Sequence, residues 1–272
     1  MADEQATQAN RAWSWRAADW ATLFEPFNIA VFRDVLDRLQ PTSGTTLVDI
    51  ACGSGLALTE AARRGAGVAG IDAADGLVRV ARERLPDADL HTGDMCDLPW
   101  ADESFDLATS YNGVWDVEGA MVEMRRVLRP GGRFGISSWG DMATNDLVTV
   151  LAPAMLAHAP PEVLESGMAL SATGEPGVFE QLCADNGLTV TERGTTDTVF
   201  EFADPTICAR ACIATGPLWA AADQGGEAAV MALLEEAAAP FASPTTGIIR
   251  LRFGWSWVIG ERAERSAPIS LP

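Results

Sequence analysis

Hydrophobic and polar positions change rhythm several times along this chain, and the changes mark its elements. Between residues 12 and 39 two helical stripes stand out, Trp13, Ala17, Trp20 and Phe24 on the first and Phe32, Val35, Leu36 and Leu39 on the second, parted at Pro26. After the turn-like Pro41-Thr42-Ser43-Gly44, short apolar runs alternate with helical ones. The spacing predicts strands near 46–51, 67–71, 88–92, 105–110 and 133–138, with helices over 55–64, 76–85 and 117–128. In the last helix Val117, Ala120, Met121, Met124, Val127 and Leu128 share a face, Asp116 can cap the start, and Pro130-Gly131-Gly132 is expected to end it. Such alternation builds a parallel sheet with helices on both faces. From 141 to 175 the rhythm gives way to Ala, Pro and Met, as in an insertion of short helices and loops. Helix, strand and helices then resume. Residues 248–259 alternate strictly, with Ile249, Leu251, Phe253, Trp255, Trp257 and Ile259 on one face, which predicts a late strand with one richly apolar side.

Composition narrows the class. With 48% hydrophobic and 21% charged residues over 272 positions, the chain can bury a core and is expected to form one elaborated domain. Its longest strongly apolar stretches, such as Leu47–Ala51 and Val230–Leu234, fall far short of the roughly 20 residues a membrane span needs. The acidic Met1-Ala2-Asp3-Glu4-Gln5 start is not a secretory signal, so a cytoplasmic protein is expected. Five cysteines without CxxC spacing argue against a disulfide framework and a zinc site, and Cys208 and Cys212 read as small buried residues of a helix. All 19 basic residues are arginine, the mark of a GC-rich coding sequence, which excludes Schiff-base chemistry through a lysine amine. A net charge of −19 opposes nucleic-acid binding, and the local run Arg125, Arg126, Arg129 and Arg133 reads as a solvated helix face and end.

The chemistry concentrates at the first strand, which runs into Asp49-Ile50-Ala51-Cys52-Gly53-Ser54-Gly55; the next strand ends in Asp72. Glycines at a strand-to-helix turn let a ligand approach the backbone, and an acid there can accept hydrogen bonds from ribose hydroxyls. The dinucleotide fingerprint needs a small residue at position 58, where Leu58 stands, so NAD and FAD are disfavoured. A phosphate-binding loop needs a lysine that the chain lacks.

With these residues in place, the chain resembles the class I S-adenosylmethionine-dependent methyltransferases, in the broad group that acts on small molecules. Val48–Gly55 resembles the family's first motif, Gly70-Ile71-Asp72 its ribose-binding strand end, and Gly93-Asp94-Met95 with Leu98-Pro99-Trp100 its adenine-side loop. Ser104-Phe105-Asp106 opens the fourth strand, and Val127–Arg133 brings in the fifth. The resemblance implies a doubly wound, mostly parallel seven-stranded sheet of the Rossmann-like methyltransferase kind, in a single domain spanning 1–272. Residues 1–44 would be an N-terminal helical cap, 45–140 the cofactor-binding core, 141–175 a cap insertion after the fifth strand, and 176–272 the rest of the sheet and helices. It implies S-adenosyl-L-methionine as cofactor and S-adenosyl-L-homocysteine as product. The cofactor-binding set is then Asp49, Ala51, Cys52, Gly53, Gly55, Asp72, Ala73, Asp94, Met95, Ser110 and Asn112. In that set Gly53 and Gly55 face the methionine part, Asp72 the ribose, Asp94 the adenine amino group and Met95 the adenine ring, while Asp49 supports the loop. Ala51 departs from the family, which most often has glycine there.

Methyl transfer from a sulfonium needs alignment and exclusion of water more than a general base, so the motifs do not name the acceptor. Tyr111, the only tyrosine, and His158, in the covering insertion, are the catalytic candidates. His91, inside the third strand, is expected to be structural. Trp15, Trp115 and Trp139 are candidates to line an apolar acceptor pocket, whereas Trp13 and Trp20 are expected to dock helices. The main expectation is methyl transfer to O, N or C of a small, largely apolar metabolite in specialised metabolism, with no metal, nucleic acid or membrane involved and the oligomeric state left open. Two alternatives stay open: a cofactor-assisted cyclisation or rearrangement without methyl transfer, and a non-catalytic methyltransferase-like binding protein.

Overall fold

A computed structural model describes residues 2–114, 119–165 and 174–264. The chain begins with α1 (Ala2–Ser14), a single helical turn at Ala17–Asp19, a π-helical turn at Trp20–Phe24 and a 3-10 turn at Glu25–Asn28, then α2 (Ile29–Leu39). The alternating core follows as β1 (Thr46–Ile50), α3 (Leu56–Arg63), β2 (Gly67–Asp72), α4 (Asp75–Arg84), β3 (Asp89–Thr92), β4 (Phe105–Tyr111), α5 (Ala120–Val127) and β5 (Leu128–Trp139). Then come α6 (Asp146–His158), α7 (Val178–Asp185), β6 (Leu188–Phe202), α8 (Pro205–Ile213), α9 (Gly216–Gly225), α10 (Glu227–Ala238) and β7 (Ile249–Arg262).

All seven strands form one sheet in the order β3-β2-β1-β4-β5-β7-β6. Strand β7 runs antiparallel to both its neighbours, and the remaining pairings are parallel. The order reverses between β1 and β4, which opens a crevice beyond their carboxyl ends, the place where open α/β sheets take ligands. Leu47, Val48 and Ile50 of β1 are all buried because this central strand is covered on both faces. One face carries Met121, Met124 and Val127 of α5 and Phe179 and Cys183 of α7. The other carries α2 through Val31, Phe32, Val35 and Leu36, together with α6 and the helices of the β6–β7 connection.

Two differences from the expected layout matter. Pro130-Gly131-Gly132 does not stand as a loop between helix and strand: Leu128 already pairs with Phe105, and the ladder jumps to Leu107 opposite Arg133, so the Pro-Gly-Gly stretch is an irregular bulge within β5. Helix α5 is capped by Gly119, and Asp116, the expected cap, lies outside the described residues. The second difference is in the cap. Helix α6 is longer than the short pieces expected of the insertion, and it packs on α9 and α10, which come from the 46 residues between β6 and β7. The cap insertion thus packs on helices of the segment 176–272, expected to supply the rest of the sheet and helices. Beyond Trp255, where β5 ends its pairing with β7, β6 and β7 continue as a two-stranded ribbon past the carboxyl edge of the sheet. Cys208 and Cys212 are buried in α8 as expected. Among the described residues no helix is long and apolar enough to cross a membrane.

Candidate functional site

The turn after β1 is built from three left-handed residues in five, Ala51 (φ 63°), Gly53 (φ 56°) and Gly55 (φ 77°). For the two glycines this conformation is free of cost; for Ala51 it costs on the order of 1 kcal/mol. The methyl of Ala51 is accommodated because Gly113 has none: a Cβ on Gly113 would lie 2.5 Å from the Ala51 Cβ and 2.6 Å from Ser110 Oγ. Ser110 closes the same junction, donating to Ile50 O at 2.6 Å and accepting from Val114 N–H at 3.2 Å.

Asp72, at the end of β2, ties the turn to the neighbouring strand. Its Oδ2 accepts from Gly53 N–H and its Oδ1 from Ala74 N–H, both at 2.8 Å, while Cys52 N–H donates to Ile71 O. Each carboxylate oxygen keeps a second acceptor site, so Asp72 can brace the glycine turn and still receive a ligand hydroxyl; Ala73 follows it, partly exposed. Asp49, one residue before the end of β1, is 2% exposed and accepts from Thr109 Oγ at 2.7 Å. Burial pushes its carboxyl up to about 8, the charges of Asp72 and Glu25 push the same way, and only the Thr109 bond opposes them. Burial also raises Asp72 and Glu25. It likewise lifts the Cys52 thiol far above its ordinary value, so this residue is an inert packing group.

Glu25 is the main site residue that local patterning did not single out. The π-helical turn followed by a 3-10 turn changes the pitch of the chain and aims Trp20 and Glu25 at the glycine turn. A Cβ on Gly53 would lie 3.6 Å from Glu25 Oε1 and 3.9 Å from Trp20 Nε1. Ser54 Oγ donates to Glu25, and Arg84 Nη1 donates to Glu25 Oε2 at 2.6 Å and to Ser54 O at 2.9 Å, with Nη2 on Ala21 O.

On the adenine side of the crevice, Asp94 Oδ1 accepts from Cys96 N–H at 2.9 Å, and Met95 packs on the core beneath α5. Arg126 of α5 holds the next stretch by donating to Leu98 O and Trp100 O. On the other side Asn112 adopts φ 59° with its N–H on Ser137 O, and its buried Oδ1 has no partner. Tyr111 meets the Phe32 ring edge at 4.6 Å, and its buried hydroxyl is also without a partner, as are the indole N–H groups of Trp15 and Trp20. Burial, then the Asp49 charge, drive the Tyr111 hydroxyl well above its ordinary range, so it remains a donor.

The remaining candidates are dispersed. Trp139 ends β5 edge-on to Phe253 of the ribbon, where Phe200, Phe202, Phe24 and Phe27 continue an aromatic wall. Trp115 lies outside the described residues. His158 ends α6 with its ring against Gly225 of α9, away from the glycine turn. His91 pairs with Asp89 and stacks edge-on with Trp100, a structural setting.

Residues 48–136 match the family of methyltransferase domains. The chain is 36% identical over 110 residues to the demethylmenaquinone methyltransferase of Paenarthrobacter aurescens, a match covering 39% of this chain and 44% of that protein. It thus spans less than half the length of that curated relative. Its fold is that of the YcgJ protein of Bacillus subtilis, with a TM-score of 0.57 at 18% identity, over 86% of this chain and 98% of that one. It also matches a geranyl diphosphate C-methyltransferase from Streptomyces coelicolor solved with S-adenosyl-L-homocysteine, with a TM-score of 0.54 at 14% identity, over 95% and 98% of the two chains.

Proposed function

We propose that this chain, whose residues 48–136 are a methyltransferase domain of the class I S-adenosylmethionine-dependent kind, transfers a methyl group from S-adenosyl-L-methionine to a small, largely apolar acceptor. The observation that carries the reading is the charge at the glycine turn. Three carboxylates, Asp49, Asp72 and Glu25, converge there: the charges of Asp72 and Glu25 raise Asp49, the charge of Glu25 raises Asp72, and of the three Arg84 bonds to Glu25 alone. Such a site is electrostatically unsatisfied and suits a ligand that brings positive charge. S-adenosyl-L-methionine brings two, a sulfonium and an α-ammonium. Its adenosine hydroxyls suit Asp72 and its adenine amino group suits Asp94.

When bound, the cofactor supplies an activated methyl, and the protein's work is to align the acceptor and keep water out. Tyr111, kept protonated by burial and with its buried hydroxyl unpartnered, would orient an acceptor oxygen or nitrogen by donating a hydrogen bond rather than remove a proton. Phe27 and Trp139, the partly exposed members of the aromatic cluster built on Phe24, Phe200 and Phe253, suit an apolar acceptor. A relative named for demethylmenaquinone supports the same acceptor class. No base is assigned to His158, which the fold holds against α9.

Calorimetric titration with S-adenosyl-L-methionine and S-adenosyl-L-homocysteine, followed by a transfer assay against phenolic and quinol acceptors, tests this. Micromolar binding of both with transfer to at least one acceptor is the expected result. Binding without transfer to any acceptor would favour the rearrangement reading, and no binding by folded protein would overturn the proposal.

A further inference from the structure

We infer that Glu25, reaching in from the N-terminal turn, recognises the α-ammonium of the cofactor's amino-acid end. This rests on the methyltransferase reading above and adds to it a residue from outside the matched domain. Glu25 is 3% exposed, a burial that a glutamate tolerates when paired, here with Arg84. Its partners are disposed asymmetrically. Ser54 and Arg84 both bond to Oε2, whereas Oε1 points at Gly53, 3.6 Å from where a side chain on that residue would begin. Gly53 is the position the motif places against the methionine part of the ligand. A Leu56 backbone N–H also steadies the carboxylate, so its orientation is fixed before any ligand arrives.

The charge count points the same way. Arg84 pairs with Glu25 itself and is anchored by Ala21 O and Ser54 O, so one arginine stands among three carboxylates. Asp49 is committed to Thr109 and Asp72 to two backbone N–H groups. Glu25 bonds Ser54 and Arg84 through Oε2, and its Oε1, facing Gly53, is the oxygen turned toward a cation at the turn. The buried and unpartnered Trp20 Nε1, 3.9 Å from the same Gly53 position, supplies a neighbouring donor suited to the carboxylate at the same end of the ligand.

The test compares three ligands by calorimetry on the wild type and Glu25→Gln: S-adenosyl-L-methionine, S-adenosyl-L-homocysteine and 5′-methylthioadenosine, which keeps the nucleoside but lacks the amino-acid end. Glu25→Gln should weaken the first two by about 10- to 100-fold, the scale of a charged hydrogen bond, and leave 5′-methylthioadenosine within about twofold. Loss confined to S-adenosyl-L-methionine would move the contact to the sulfonium and overturn the assignment. So would equal loss of all three ligands, which would mark Glu25 as a brace of the glycine turn, or no loss at all. If the wild type binds none of the three, the methyltransferase reading fails instead. Should Glu25→Gln not fold, Glu25→Asp keeps the charge but withdraws it by a methylene. The preference for S-adenosyl-L-homocysteine over 5′-methylthioadenosine should then fall at least about fivefold, and an unchanged preference would refute the inference.

Discussion

Ala51 and Gly113 share one small space: the side chain sits on the left-handed residue, and the glycine stands opposite to make room. Replacing Ala51 by glycine relieves on the order of 1 kcal/mol of backbone strain and loses a small amount of packing, so the net change in urea denaturation should stay within about 1 kcal/mol. Gly113→Ala meets Ala51, Ser110 and Ile50 O at once and should cost about 2 kcal/mol or more. The double variant should recover part of that loss, and strict additivity of the two changes would show that the pair is not coupled. Asp49 gives a pH prediction. Its folded-state pKa of about 8 lies above the ordinary 3.8, so between about pH 4 and 8 the native protein holds a proton the unfolded chain has released. Stability of the ligand-free protein should therefore fall as pH rises through that window and level off above it. Asp49→Asn keeps an acceptor for Thr109 and removes this dependence. Its advantage over the wild type in thermal unfolding should grow from pH 5 to pH 9, by at least about 1 kcal/mol, and parallel pH profiles would refute the assignment.

Among the elements, those specified by local pattern lie close to where their periodicity puts them. Strands β1, β2 and β4 agree with the expected spans to within a residue at each end, because short runs such as Leu47–Ile50 are buried on both faces and bounded by turn residues. The start of β5 was illegible for the opposite reason: Pro130-Gly131-Gly132 carries every local mark of a break, and only pairing of Leu128 with Phe105 makes it part of a strand. Glu25 was hidden by distance along the chain, since Ser54 and Arg84 lie 29 and 59 residues away and nothing around position 25 separates it from a solvated acid. The same non-local logic holds the adenine-side loop. Arg126 donates to Leu98 O, Trp100 O, Asp102 and Glu123, so one side chain staples 98–102 to α5. Arg126→Ala should lower stability by about 1 to 3 kcal/mol and speed amide exchange across 98–102, and an unchanged exchange pattern there would show the loop is held by other contacts.

For the molecule as a whole, the N-terminal segment, the glycine turn and the β6–β7 connection are linked through aromatic packing. Trp13 of α1 stands edge-on to Trp20 at 5.0 Å, Trp20 stacks on Phe24 at 4.9 Å, and Gly216 of α9 leaves the space that Trp13 fills. A Cβ at Gly216 would lie 2.5 Å from the Trp13 ring, so Gly216→Ala should displace Trp13, cost about 1 to 3 kcal/mol and raise exchange in α1. Its effect should also reach the glycine turn as weaker S-adenosyl-L-homocysteine binding, although Gly216 itself bonds to nothing there; unaltered affinity would show that the two regions move independently. The roof over the turn thus comes from residues 20–25, outside the 48–136 segment shared with other proteins. A graft of that shared segment between relatives would carry the loop and leave the roof behind. Differences in ligand preference among such proteins should then follow the recipient's N-terminal turn rather than the donor's glycines.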